Sequence, residues 1–346
     1  MYIVLVGPSG KCRKGTAMKQ GMPFLSSLGL KVAAESITRE ALIRELKVSS
    51  ESTVNPITGD ILLHSSLTIF SQELTVFLGY NNQQLMADLS DWYDCGDKWT
   101  YRTKNMGTDD ITGLWVNLLG ATTPELLQTT LPRDAIGGGL TSRIIFVYEQ
   151  NKGKTVVFPF ASKEELELGA ILLKDLEVIG NMSGQFKISE DFIHGWGEWY
   201  GGKEGQTPPF EDYRFSGYFE RRPTHLLKLS IIMSAARSNE MVVRRVDMEK
   251  AKAAMHMIEP KMKFTFSGVG RNTASDSVNR VMTMLMTEGR IPLTVLQQRM
   301  YHDLDKFALE KVVETMILMG VAYMENGEVL VCRKDSLRSL LKAKEE

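Results

Sequence analysis

Cysteine is scarce in this chain: three in 346 residues (Cys12, Cys95 and Cys332), too few and too scattered for a disulfide framework or a zinc site. The five histidines are dispersed, so neither a metal cluster nor a histidine-based triad follows. No apolar run approaches the ~20 residues that a membrane helix needs; the longest lie at 1–6 and 226–236. The first of these is followed by Gly-Pro-Ser-Gly rather than by a small-residue cleavage site, so no secretory signal is read. The expectation is a cytoplasmic protein with no membrane partner. Net charge is also nearly absent, at −1, which excludes a histone-like coat of positive charge but not a local basic surface.

What is present is an ordinary globular composition, with 43% hydrophobic residues, which excludes wholesale disorder. At ~150 residues per domain the length predicts roughly two domains. The charge is segmented. Residues 1–34 carry Lys11, Arg13, Lys14, Lys19 and Lys31 and no acidic residue. Segment 155–212 has 11 acidic and 4 basic residues, and segment 214–263 has 11 basic and 5 acidic. The first and third segments are where anions would be met.

The apolar pattern over residues 1–150 alternates short strands with helices. Strands are expected at 2–6, 31–34, 67–70, 114–121 and 143–148, and helices at 15–25, 38–46 and 84–93. A hairpin is expected from 98–104 and 110–116. That alternation predicts an α/β fold with a mainly parallel sheet covered on both faces. From 151 to 266 the reading is helical, with helices at 163–179, 223–236 and 247–262 and no strands. Residues 267–277, rich in Ser, Gly, Asn and Thr, read as a linker. In 278–346, three helices precede two strands flanking Asn326-Gly327, a strong hairpin signal. That order predicts a small winged-helix domain.

Chemistry concentrates after the first strand. Gly7-Pro8-Ser9-Gly10-Lys11-Cys12-Arg13-Lys14-Gly15-Thr16 joins it to a helix, as a phosphate-binding loop would. Glycines let backbone N–H groups turn toward phosphate oxygens, a lysine reaches the β/γ-phosphates and a hydroxyl holds Mg²⁺. With Lys14 as that lysine the loop from Gly7 is one residue longer than the strict G-x-x-x-x-G-K-[ST] spacing, Gly15 takes the hydroxyl position and Thr16 must supply the hydroxyl. With Lys11, Cys12 takes the hydroxyl position. We take Lys14 with Thr16, and include Gly7, Gly10, Lys11, Arg13 and Gly15 in the candidate cradle. The second element is 67–73, an apolar strand ending at Glu73, placed to deprotonate water and face the metal. Gln72 stands where a carboxylate would usually precede it.

In their order, these motifs resemble those of phage-type helicase ATPases of the AAA+ P-loop class. Leu118-Leu119-Gly120-Ala121-Thr122-Thr123-Pro124 is similar to a sensor-1 strand, with Thr122 or Asn117 as the polar sensor. Residues 139–147 are similar to the arginine-finger segment of minichromosome maintenance helicases, which implies Arg143 as the finger, with Arg133 second. Glu220-Arg221-Arg222-Pro223-Thr224-His225 stands where a sensor-2 arginine of a lid is expected. The resemblance implies a P-loop NTPase core at 1–150, a helical lid at 151–266, ATP and Mg²⁺ as cofactors, and a homo-oligomeric ring. It further implies a helicase or translocase on single-stranded or forked DNA, in a phage-like replication module of the bacterial cytoplasm, with a primase or collar partner. The hairpin lies where related helicases reach DNA in the pore. Lys98, Arg102 and Lys104 would meet phosphates there, and Trp99 or Tyr101 would stack on bases. Two other readings are a non-hydrolysing nucleic-acid-binding or scaffolding protein with a degenerate loop, and a loader or packaging ATPase.

Overall fold

The computed structural model describes residues 1–54, 58–103, 107–131, 135–157, 160–266, 273–301 and 304–332. It divides into two compact units, Met1–Val269 and Gly270–Glu346.

The first unit is α/β. Strand β1 (Tyr2–Val6) leads through the glycine-rich loop to two short helices, α1 (Lys14–Lys19) and α2 (Met22–Ser27). The single helix expected at 15–25 is broken at Gln20-Gly21. Helix α3 (Arg39–Val48) starts at Thr38, whose hydroxyl accepts from the Ala41 N–H at 3.3 Å. Next come β2 (Ser50–Val54), β3 (Ile61–Ser71), α4 (Leu74–Leu78), α5 (Gln83–Trp92) and the antiparallel hairpin of β4 (Lys98–Thr103) and β5 (Gly107–Thr112). β6 (Leu114–Thr122), α6 (Pro124–Thr130) and β7 (Ile144–Tyr148) complete this part.

The central sheet is mixed, in the order β2-β3-β6-β1-β7. β3, β6, β1 and β7 are mutually parallel, and β2 runs antiparallel to β3. The strand expected at 31–34 is reduced to one parallel bridge, Val32 to Thr68. β2, which sequence reading missed, is the polar run Ser-Glu-Ser-Thr-Val, without the apolar alternation that marks a half-buried strand. One face of the sheet carries Tyr2, Val4 and Val6 in the main core with Leu42, Leu89, Trp92, Phe146, Phe215 and Phe266. The other face is covered by α1 and α2 through Met18, Met22 and Leu25 over Phe70 and Ala121.

Residues 151–266 contribute α7 (Lys163–Gly180), β8 (Lys187–Ile188), α8 (Glu190–Gly201), α9 (Lys203–Gln206), α10 (Ser216–Arg237), β9 (Val242–Val243) and α11 (Arg245–Met262). β8 and β9 form a short parallel ribbon where no strand was expected. Two-residue strands are too brief to leave a period in the sequence. α10 begins seven residues before Pro223, which the helix accommodates internally. Tyr218, Met262 and Phe266 share the main core with the sheet, so α10 and α11 cover a sheet face.

In the second unit, α12 (Thr273–Glu288), α13 (Leu293–Met300) and α14 (Lys306–Leu318) enclose Val281, Leu285, Leu296, Met300 and Met316. β10 (Arg290–Pro292), a third strand beyond the two expected here, pairs with β12 (Val329–Cys332), which also pairs with β11 (Ala322–Glu325). Asn326 (φ 51°) and Gly327 (φ 76°) both take left-handed conformations in the three-residue turn that joins β11 to β12. α12 starts at Thr273, inside the stretch read as linker; 267–272 lie outside the described residues.

Candidate functional site

Because β3, β6, β1 and β7 are parallel, their C-terminal ends share one sheet edge. The glycine-rich loop leaves β1 at that edge. Gly7 is dictated by crowding: a Cβ there would lie 2.1 Å from the Glu149 carbonyl oxygen and 2.6 Å from Cys12 Sγ. Gly10 (φ 70°) and Arg13 (φ 51°) are both left-handed, so the chain turns sharply before α1. Lys14 points back into this curve. Its Nζ donates to the Gly7 carbonyl at 2.6 Å and to the Pro8 carbonyl at 3.3 Å. Lys11, Arg13 and Thr16 are exposed. A Cβ on Gly15 would stand 3.4 Å from Gln72 Oε1, so the Gln72 amide lies against the start of α1.

Glu73 is exposed one residue before α4. Thr122 ends β6, buried, and its carbonyl accepts the Gly7 N–H at 3.4 Å. Glu149, just past β7, donates its N–H to the Val6 carbonyl at 3.0 Å and pairs through its carboxylate with Lys261 of α11. Loop, Lys14, Gln72, Glu73 and Thr122 thus meet at one edge. Glu149 and Lys261 were missed, because no motif links positions over a hundred residues apart.

Other candidates sit at the opposite edge. Asn117 lies five positions before Thr122, about 16 Å away along the strand, where its Oδ1 accepts from the Met1 amino group at 2.9 Å. It is not with the loop. Arg143 closes a short 3₁₀ turn (Thr141–Arg143) just before β7, so it too sits at the N-terminal edge. Its guanidinium donates to the Gly139 carbonyl at 2.9 Å and to Asp94 at 3.0 Å. Arg221 donates to the other oxygen of Asp94 at 3.1 Å. Burial pushes the Asp94 carboxyl up, but the two arginines outweigh it and hold it below the usual carboxylate range.

The hairpin lies at this same edge. Lys98 pairs with Asp110 at 3.1 Å and Arg102 Nε donates to Thr108 at 3.0 Å, both on the outer face. Trp99 and Tyr101 face inward. Trp99 sets its edge to Trp92 with centroids 5.4 Å apart and donates Nε1–H to Asp91 at 3.0 Å. Tyr101 lies under the Arg39 guanidinium at 5.0 Å. Alternation along β4 turns both rings inward, where they pack half-buried against the main core. Lys104 and Arg133 lie outside the described residues.

Arg222 is buried, not poised over the loop. Its Nε and Nη2 donate to Glu259 at 2.7 and 3.0 Å, and Nη1 donates to the Glu204 carbonyl at 2.7 Å. It borders an open cavity of about 580 Å³ lined also by Lys203, Pro208, His256 and Pro260. One turn on, buried His225 bridges α10 to the sheet edge: Nε2 donates to the Ser142 carbonyl at 3.1 Å, and Nδ1 accepts from the Tyr93 hydroxyl at 3.0 Å. Burial pushes its pKa down to about 4, against the pull of the Ser142 bond. Among the described residues, no group of three or more His, Cys, Asp or Glu side chains could hold a metal ion, and no helix is long and apolar enough to cross a membrane. No protein-family model matches this chain, and no curated protein matches it significantly.

Proposed function

We propose that residues 1–269 form an AAA+-type P-loop NTPase that hydrolyses ATP to move along single-stranded DNA as a homo-oligomeric ring, within a phage-like replication module. The observation that carries this reading is Lys14 turned into a loop with two left-handed residues at the C-terminal ends of parallel strands. That edge is where open α/β sheets bind their ligands. An ammonium already resting on two carbonyl oxygens can exchange them for phosphate oxygens without building a new cradle. Gly7 lets the backbone pass close to Glu149; in this reading Thr16 would offer the hydroxyl and Glu73 would orient and deprotonate water. Bound Mg-ATP would supply the electrophilic phosphoryl group and the metal charge that offsets its oxygens.

Arg143 stands a sheet's length from its own loop, so as the finger it serves only a neighbouring copy, after leaving Asp94; Arg221, the sensor-2 candidate, shares that anchor. Lys98 and Arg102 are the phosphate contacts offered by the hairpin. The unit at 270–346 is read as a winged helix that touches duplex DNA or a protein such as a primase or collar. Its balanced charge (11 basic and 11 acidic residues over 271–346) speaks against strong duplex binding by this unit alone.

The test is ATPase rate with and without single-stranded DNA. Lys14→Ala and Glu73→Gln should each lower it ~10²-fold or more; full activity in either variant refutes the proposal. Strand displacement on forked DNA separates a helicase from a loader, which unwinds nothing alone. One observation favours a second reading: neutral Gln72 lies against Gly15, where a metal-binding site would want charge. A protein that binds nucleotide without turnover would fit that placement, and robust hydrolysis by the purified chain excludes it.

A further inference from the structure

Helix α7 is well made and barely used. It opens with a capping box in which Ser162 and Glu165 bond reciprocally. Yet none of its 18 residues is buried, and none of its side chains joins a hydrophobic core cluster. Leu168, Ile171 and Val178 are 55%, 57% and 45% exposed. With Glu164 and Asp175 they form a stripe spaced four, three, four and three, one seam of a helix. The helix has two basic and five acidic residues.

Helix α11 presents the complement. Its inner side is buried through Met248, Ala251, Met255 and Met262. Its outer side carries Val246, Lys250, Ala253, Met257 and Lys261, all exposed, with Met257 at 76%. Glu164 and Asp175 are eleven residues apart on α7, and Lys250 and Lys261 are eleven apart on α11. Eleven residues is about three helical turns. Both acids can therefore meet both lysines, with apolar side chains between them, whichever way the helices run. Lys261 would then share its charge with Glu149 of its own chain.

We propose that the acidic-apolar stripe of α7 docks on the basic-apolar stripe of α11 of a second copy of this chain. The matched periods, the opposite charge at matched spacing and the simultaneous exposure of both stripes support it. The two stripes are different surfaces, so the contact is heterologous: each copy gives one and receives one. Such a contact propagates until it closes as a ring or continues as a filament, rather than stopping at a two-fold dimer. This inference does not depend on nucleotide binding.

The experiment is sedimentation velocity on the full chain without nucleotide, at low and high salt. Wild type should form species larger than a dimer, weakened by salt. Ile171→Asp breaks the donor stripe and Met257→Asp the acceptor stripe. Both positions are exposed, and unchanged circular dichroism shows that each variant folds. Each alone should be monomeric. Mixed in equal amounts they should form a dimer that grows no further, since the mixture holds one intact α7 and one intact α11 per pair. A monomeric wild type, variants that assemble like wild type, or a mixture that stays monomeric would each overturn the proposal.

Discussion

Arg222 offers the sharpest test of whether the arginines of α10 serve a ligand or the fold. Its side chain is 4% exposed and that of Glu259 1%. Two bonds join them, a third ties Arg222 to the Glu204 carbonyl, and Glu259 also accepts from the Tyr218 hydroxyl at 3.2 Å. Arg222→Met keeps much of the side-chain volume but leaves a buried carboxylate with only that hydroxyl. Removing one partner of a buried pair costs about 3–5 kcal/mol. For a unit of this size each kcal/mol moves the melting temperature by about 2–4 °C. The 1–269 unit should therefore melt roughly 10 °C lower or more, by calorimetry or circular dichroism. Replacing both partners, as Arg222→Met with Glu259→Leu, removes the stranded charge and should recover most of the loss. If Arg222 is structural, the folded double variant binds ATP as wild type does. A single variant that loses under ~1 kcal/mol, or a folded double variant that loses ATP binding, refutes the reasoning.

Two further outcomes follow from the same network and from the loop. Between pH 6.5 and 4 the unfolded chain takes up a proton at His225 that the folded chain resists, so stability should fall as pH falls through that window, by up to about 3 kcal/mol. Urea unfolding at stepped pH would show this slope flattened in His225→Asn; an equal slope in both proteins would assign it to other groups. Gly7→Ala should displace the loop, since its Cβ would fall within contact distance of the Glu149 carbonyl and Cys12 Sγ. A loss of about 1–3 kcal/mol is expected, with nucleotide affinity falling further than stability explains. Wild-type affinity in Gly7→Ala would show that the loop does not need its close passage by Glu149.

The distribution of the candidates changes what each can do. Lys14 follows β1, Glu73 follows β3 and Thr122 ends β6, yet the parallel sheet brings them to one edge. Asn117 is on the right strand but the wrong end, because five residues of extended chain span the sheet. Arg143 and the hairpin share that far edge. The basic segment 214–263 is similarly partitioned: Arg222 and Arg237 are spent on Glu259 and Asp247, while Lys250 faces outward. A count of charges could not separate the two kinds.

Local sequence alone determined β1, α3, α5, α7 and the Asn326-Gly327 hairpin. Each is specified by short-range physics: apolar period, an N-cap oxygen, a capping box, or residues tolerant of positive φ. It also marked the glycine-rich loop, since only glycine permits the crowding at Gly7. Only the tertiary structure decided the sheet order, the reduction of 31–34 to one bridge, the strand role of 290–292, and the inward turn of Trp99 and Tyr101. Those outcomes depend on which partner is within hydrogen-bonding or packing reach, a relation between distant segments that no local pattern contains. The same holds for Asp94, which became the shared anchor of Arg143 and Arg221 only when the loop after α5, the turn before β7 and helix α10 were brought together.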